Sequence, residues 1–427
     1  MTSLFVTSAK GFEGALADEL KQACGIGELV AKIHRERGGV RILPFENEEA
    51  KLIEAAYRIC FFSRVAGRVL WELKTFECRT ADQLYTGIRS IHWTNHIAPD
   101  GTMVVDFHGV NSAIKNTQFG ALKTKDAICD QLRTLKGQRP SIDTKKPDVR
   151  VSVHLDKKNQ AAVAIDLSGD SLHIRGYRTE TVMAPLKENL AAGILWLSGW
   201  AEKSKTGVPL MDPFCGSGTI VLEGAFMALD FAPGLLRWKK PMSTAAFGFE
   251  RWLGRDDAKI QSIYEEAQGR VQARIEALRG GKGPRTLQRI VGFDQDAEAI
   301  KAALSNLHAS GIPDFQKNAS SIQVHFEKKE LGQGAVPSGR SGWIVTNPPY
   351  GLRIGETQAL QRLYRSFGDF MKKSCEGWNA AVITEATDLA KSIGLKPSAK
   401  IPVWNGPIEC RVLTYQLYAG SQKTEEN

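Results

Sequence analysis

The spacing of apolar positions changes period repeatedly along the chain, and each change marks an element boundary. Leu4 to Thr7 reads as a strand and Gly11 to Ala23 as a helix, followed by extended stretches near Leu29 to Ile33 and Gly39 to Leu43 and helical spacing from Glu48 to Tyr57. The segment Ser63 to Leu73 is rich in Val, Leu and Trp; Ala81 to Ile91 is helix-like and Thr102 to Phe107 strand-like. Val149 to Leu155 and Ala161 to Leu167 alternate as paired strands do, and Ser168-Gly169-Asp170 reads as a turn into Ser171 to Ile174. Two small α/β modules are predicted here, over residues 1–60 and 61–168.

From residue 169 to 420 the units are larger. Helix Lys187 to Ser198 precedes a strand ending at Leu210-Met211, then helix Thr219 to Leu229, strand Arg289 to Phe293 and helix Ala297 to Ser310. Strand Trp343 to Thr346, helix Leu360 to Lys372, strand Asn379 to Thr384, helix Asp388 to Ile393 and strands Lys400 to Trp404 and Glu409 to Tyr418 follow. Repeated strand-helix units predict a parallel sheet covered on both faces, and Asn405-Gly406 between the last two strands predicts a closing antiparallel hairpin. Ala232 to Arg285 interrupts the rhythm with Trp238, Phe247, Phe249 and Trp252 and reads as an insertion packed on that sheet. Residues 421–427 are polar and read as a flexible tail.

Composition adds little about fold but something about partners. With 427 residues, 42% hydrophobic and 24% charged, the chain has material for two or three domains. No apolar run approaches a membrane span and the first ten residues lack a signal-peptide pattern, so a cytoplasmic location is expected. The seven cysteines are scattered, with no CxxC pair and no zinc-finger His, and no metal is predicted. The net charge of +9 is concentrated, because Asn111 to Gln160 holds eleven Lys or Arg against five Asp. That asymmetry suits a polyanion such as nucleic acid, with Lys115, Lys123, Lys125 and Arg133 as candidate contacts; a solvated basic face is the competing reading.

Leu210-Met211 leads into Asp212-Pro213-Phe214-Cys215-Gly216-Ser217-Gly218-Thr219, a glycine-rich turn opening a helix. Such a turn lets a ligand lie against bare backbone near free helical N–H groups. It lacks the P-loop lysine and a full GxGxxG, so nucleoside triphosphate and dinucleotide sites are disfavoured. Asp294, at the end of the next strand, can accept both hydroxyls of a ribose. A third element is expected near Asn318 and Ala319, where an amide oxygen could accept an adenine amino group; a turn cap is the alternative for Asn318.

Asn347-Pro348-Pro349-Tyr350 follows the strand Trp343 to Thr346. An exocyclic amine is a poor nucleophile because its lone pair is delocalised. The Asn347 side-chain oxygen and the Pro348 carbonyl can draw its hydrogens aside, and Tyr350 can stack on a base, with tandem prolines stiffening the loop. The four residues define nitrogen geometry and not the substrate: guanine, adenine or a glutamine amide would all fit, and retained motifs are also compatible with a non-catalytic RNA-binding assembly factor.

Together DPFCGSGT, the Asp294 strand and NPPYG resemble the THUMP-domain RNA guanine-N2 methyltransferases. Arg175-Gly176-Tyr177-Arg178, Ala184-Pro185-Leu186-Lys187-Glu188-Asn189 and Phe249-Glu250-Arg251-Trp252 extend the resemblance over most of the C-terminal half. It implies a ferredoxin-like N-terminal module, an RNA-gripping THUMP domain and a Rossmann-like class I methyltransferase domain, all α/β. It further implies S-adenosyl-L-methionine as cofactor, Pro185 and Glu188 at the cofactor approach, Arg175 and Arg178 as RNA or linker residues with a packing or salt-bridge role as the equal alternative, and ribosomal RNA of the large subunit as substrate, with transfer RNA or adenine as alternatives.

Overall fold

The computed structural model describes residues 2–180, 186–238, 246–280, 287–318, 321–333, 336–337, 341–350, 357–385 and 388–418. The tail at 421–427, Pro185 and Ala319 lie outside them. Two compact units result, one formed by Met1–Ser8, Leu16–Leu172 and Arg237–Glu265, the other by Ala9–Ala15, His173–Leu236 and Glu266–Asn427.

The first unit is built on eight strands: β1 Ser3–Thr7, β2 Lys32–Glu36, β3 Gly39–Leu43, β4 Val69–Glu77, β5 Thr102–His108, β6 Ser141–Ile142, β7 Val149–Leu155 and β8 Gln160–Asp166. They form one sheet in the order β2-β3-β1-β4-β8-β7-β5-β6. Alternation sets its faces: Val149, Val151, Val153 and Leu155 of β7 are buried, while Arg150, Ser152 and His154 between them are not. Because β4 pairs with both β1 and β8, the two predicted N-terminal modules share a single continuous sheet. The predicted pairing of the last two strands is present, Val151 opposite Ile165, whereas Ser171 to Ile174 is not a strand.

Within the basic stretch lies a twenty-residue helix, Thr117–Lys136, that hydrophobic spacing does not reveal. Its buried stripe includes Gly120, Thr124, Ala127, Ile128, Gln131 and Leu132, where small and polar side chains blur the apolar signal. Local chemistry does mark its ends. Asn116 caps the first turn by accepting from the Phe119 N–H at 2.7 Å, and Gly137 terminates it.

The insertion is not packed where the sequence suggests. Arg237–Glu265 belongs to the first unit, where Phe247, Phe249 and Trp252 are buried. Phe249 lies 4.8 Å from Tyr57, Phe247 5.1 Å from Phe61 and Trp252 5.7 Å from Trp71, ring centre to ring centre. Helix Glu49–Phe62 presents two of these rings, so the insertion's aromatics complete a core that the N-terminal sheet leaves open.

In the second unit, β9 Leu210–Asp212, β10 Gln288–Asp294, β11 Ile322–Lys328, β12 Trp343–Thr346, β13 Asn379–Glu385, β14 Ala399–Asn405 and β15 Ile408–Gln416 form a sheet in the order β11-β10-β9-β12-β13-β15-β14. All pairings are parallel except those of β15 with β13 and β14. The predicted hairpin closes it, with Asn405 opposite Ile408 across Gly406-Pro407. Asp388–Ile393 is a short 3₁₀ segment and not an α-helix. The chain runs from β9 to β10 on one side and later to β12 on the other, which opens a crevice at the carboxyl ends of these strands.

Phe61 is fully buried among the insertion's rings. Phe61→Ala should destabilise the first unit by about 3–5 kcal/mol and Phe61→Leu by clearly less. Urea unfolding followed by tryptophan fluorescence checks this, and an unchanged midpoint for the alanine variant would show that the cluster contributes no stability.

Candidate active site

Three neighbouring strands, β10, β9 and β12, carry the predicted motifs at their carboxyl ends, with Asp212 level with Gly292 and Ile344 paired to Met211. After Asp212 the chain turns through Pro213 to Gly218 into helix Thr219–Ala228. Gly218 sits at φ +84°, and a Cβ there would meet the Phe326 ring at 2.6 Å, so the turn admits no side chain at this point.

Hydrogen bonds lock the turn to its neighbours. Asp212 is buried, and its Oδ1 accepts from Thr346 Oγ1 at 2.6 Å and from the Phe214 N–H at 3.1 Å. The Cys215 N–H donates to the Phe293 carbonyl and the Gly216 N–H to Asp294 Oδ2, both at 2.9 Å. Asp294 also accepts from the Asp296 N–H through Oδ1 at 3.0 Å. A carboxylate offers about four lone-pair sites, so this half-buried group retains capacity for two hydroxyls.

Two residues that motif reading assigns elsewhere, or overlooks, hold the far side of the turn. Arg178, for which an RNA contact and a salt bridge are both expected, makes the salt bridge: it donates to Glu188 Oε1 at 2.9 Å, Ser217 Oγ at 3.3 Å, Thr219 Oγ1 at 3.0 Å and the Leu186 carbonyl at 2.8 Å. Glu188 is thereby a partner of Arg178 at the start of its helix. Asn306 donates to the Ser217 carbonyl at 3.1 Å and accepts from the Thr179 N–H at 2.9 Å. Arg175, the other predicted RNA contact, is 1% exposed and lies 3.6 Å from the buried Glu223 carboxylate, too deep to meet a polymer. Cys215 is buried too, and desolvation pushes its thiol well above the usual range.

The acceptor loop starts where β12 ends. Asn347 is only partly exposed, yet its Oδ1 is buried and has no hydrogen-bond partner among the described residues. An amide oxygen left unpaired in this way carries a desolvation penalty that a donor placed there would relieve. Pro348 is buried, the Pro349 carbonyl accepts from Tyr364 Oη at 3.3 Å, and Tyr350 Oη accepts from Asn405 Nδ2 at 3.0 Å. Burial raises the Tyr350 hydroxyl to about 12, so the ring is neutral and its outer end is anchored on the closing hairpin.

Asn318 does not join the site. It ends helix Ile312–Asn318 ahead of β11, whose amino end pairs with Gln288, at the sheet edge opposite Asp294. Sequence order placed a strand before Asn318, although the alternation of Ile322, Val324 and Phe326 marks the real one. At the correct edge Lys328 is level with Asp294, the Lys329 N–H donates to the Asp294 carbonyl at 2.9 Å, and the next residue is the exposed acid Glu330. The remaining predicted RNA contacts belong to the first unit. Lys115 is exposed, Lys123 lies 3.9 Å from Asp82, Lys125 2.8 Å from Asp126 and Arg133 2.7 Å from Asp130.

Desolvation raises the Asp212 carboxyl from 3.8 to about 7, with Asp294 adding to the rise and the bonds from Thr346 and Phe214 opposing it. The folded protein therefore binds this proton more tightly than the unfolded chain, so its contribution to stability falls between about pH 4 and 7 and is level above. Asp212→Asn keeps an acceptor oxygen and cannot titrate. Its urea midpoint should decline less over that interval than the parent's; identical pH profiles would show that Asp212 titrates normally.

The profile of the RMKL-like methyltransferase domain matches residues 175–414, that of the THUMP domain 78–166 and that of the RlmL ferredoxin-like domain 3–70. Over 97% of its length the chain is 39% identical to the ribosomal RNA large subunit methyltransferase K/L of Pseudomonas putida (strain W619), and 40% identical to the protein of that name from Methylococcus capsulatus. The matches cover 52% and 51% of those proteins, so the chain spans about half the length of the curated relatives it matches. Among solved structures, SMU.472, described as a methyltransferase and complexed with SAH, aligns with TM-score 0.78 and 27% identity over 98% of this chain and 99% of that one. A protein from Clostridium difficile 630 described as a methylase aligns with TM-score 0.79 and 25% identity over 99% and 100%. With more than half of its residues in the matched domain, and the glycine turn and acceptor loop both inside it, the chain belongs to the RMKL-like methyltransferase domain family.

Proposed function

We propose that the chain methylates the exocyclic N2 of a guanine in large-subunit ribosomal RNA, using S-adenosyl-L-methionine. The observation that carries this reading is the buried, unpartnered Oδ1 of Asn347 beside the glycine turn and Asp294. The names of the relatives support the ribosomal substrate, and the SAH complex of the structural neighbour supports the cofactor. Work on ribosomal RNA implies a cytoplasmic location, and no described helix is long and apolar enough to cross a membrane.

The chain's residues fit the cofactor. The backbone from Gly216 to Gly218, at the start of helix Thr219–Ala228, would hold its amino-acid portion, the free lone pairs of Asp294 would accept the ribose hydroxyls, and Glu330, at the sheet edge, would accept the adenine amino group. When bound, the cofactor supplies an electrophilic methyl on a sulfonium. Asn347 Oδ1 and the Pro348 carbonyl accept the two amino hydrogens of guanine, which favours a tetrahedral nitrogen and releases its lone pair for attack. Positive charge grows on that nitrogen as its bond to the methyl forms, so the acceptors would bind the transition state more strongly than the ground state, and one amino hydrogen then leaves to water as a proton, giving the neutral methylamino group. Tyr350, neutral and tied to Asn405, offers its ring face to the base.

Asn347→Ala should slow single-turnover transfer about a hundredfold or more, roughly 3 kcal/mol by analogy with loss of one preorganised oxyanion-hole donor, while RNA and cofactor affinities hold. The assay uses methyl-labelled cofactor with ribosomal RNA, transfer RNA, DNA and protein, followed by nucleoside analysis. Label in N2-methylguanosine from ribosomal RNA is the expected result. Label in N6-methyladenine, or near-normal transfer by the alanine variant, would overturn the reading.

A further inference from the structure

A cavity of about 130 Å³ in the first unit is lined by Lys145, Lys146, Arg150 and Arg251, with Gly169 and Gly248 supplying backbone. Two carboxylates, Asp148 and Asp170, also reach its wall, leaving four cations against two anions. Arg251 comes from the Phe249-Glu250-Arg251-Trp252 motif, which the proposed chemistry does not use, and the lysines from the basic stretch.

Close backbone contact assembles the cluster. A Cβ on Gly248 would meet the Asp166 carbonyl at 2.3 Å and the Gly169 N–H nitrogen at 2.8 Å, so only glycine lets the 3₁₀ turn Gly248–Arg251 lie against the end of β8. Arg251 is then held through Nη1 by Asp148 Oδ1 at 3.0 Å, while Asp148 Oδ2 is taken by the Thr102 N–H and hydroxyl at 2.8 and 2.9 Å. Arg150 donates through Nη1 to Asp106 at 2.7 Å, but its Nε is buried with no acceptor among the described residues. Lys145 and Lys146 are exposed, make no close ion pair among the described residues, and sit beside Asp143, whose Oδ1 accepts from both their N–H groups at 2.8 and 3.0 Å.

The buried Arg150 Nε without an acceptor carries a desolvation cost, and an oxyanion bound among these cations would relieve it. The volume is well below the several hundred cubic ångströms of a nucleoside or cofactor site and suits a single tetrahedral anion. We propose that this cavity seats one phosphate group of the RNA substrate, an inference that rests on the RNA reading above. It adds Lys145 and Lys146, which make no close ion pair among the described residues, to the candidate contacts Lys123, Lys125 and Arg133, which face carboxylates.

The test uses the full chain, wild type and two variants: Lys145→Ala with Lys146→Ala, which alters only exposed side chains, and Arg251→Gln. Binding to one ribosomal RNA fragment, prepared with and without a 5′-phosphate, is measured by anisotropy across a salt series, with S-adenosylhomocysteine affinity as the control for folding. Each variant should bind RNA about tenfold more weakly and lower the salt slope by roughly 0.7 to 0.9 per lost phosphate contact, with unchanged S-adenosylhomocysteine affinity. Equal losses with both RNAs identify an internal phosphodiester, and a loss confined to the phosphorylated RNA identifies a terminal phosphate. Variants matching wild type in RNA affinity and slope would overturn the pocket while leaving the RNA reading intact. A wild-type protein that binds no RNA even at low salt would overturn that reading and this inference with it.

Discussion

The hydrogen bond from Thr346 Oγ1 to Asp212 Oδ1 joins the last residues of two adjacent parallel strands, each buried to within about one percent of its surface. On one side of it the chain becomes the glycine turn, on the other the Asn347-Pro348-Pro349-Tyr350 loop. Methyl transfer depends on sub-ångström placement of donor and acceptor, so a bond at the root of both loops limits every later contact. The Gly216 to Asp294 bond ties in the third strand, and Arg178 and Asn306 close the far side of the turn. The sheet therefore supplies position, while the proposed chemistry rests on one buried amide oxygen and a carbonyl.

A different physical problem is solved in the first unit. Tyr57 and Phe61 of helix Glu49–Phe62 and Trp71 of β4 pack against aromatic rings of the insertion, which returns from the later sequence to this unit. The same segment delivers Arg251 to the basic cavity, so the burial that completes the core also assembles the candidate phosphate seat. His96, partly buried, accepts from Trp252 Nε1 at 3.0 Å, and desolvation lowers it to about 4, which keeps the ring neutral at physiological pH.

Elements with strong periodicity were legible in the chain, including β7 and β8, the parallel run from β9 to β13 and the hairpin at Asn405-Gly406. The placement of Asp212 to Thr219, Asp294 and Asn347 at the carboxyl ends of neighbouring strands was legible too, because strand, turn and motif coincide there. What escaped has identifiable causes. Helix Thr117–Lys136 hides behind a stripe of small and polar residues. Asn318 was expected at the carboxyl edge because a short helix and a short strand look alike when only a few apolar residues are present; it ends a helix ahead of β11. Arg175 and Arg178 could not be separated from surface arginines, since their partners Glu223 and Glu188 are brought to them only by folding. The insertion's destination was invisible for the same reason: aromatic spacing shows that a segment will be buried, not against what.

A double-mutant cycle on Asp212→Ala and Thr346→Val, read as single-turnover methyl transfer to ribosomal RNA with enzyme and cofactor saturating, tests most directly whether the two loops act as one rigid unit. The account predicts that either substitution alone slows transfer nearly as much as both together, a coupling of about 1–2 kcal/mol. Rate losses that simply multiply would contradict it, because the turn and the acceptor loop would then be positioned independently.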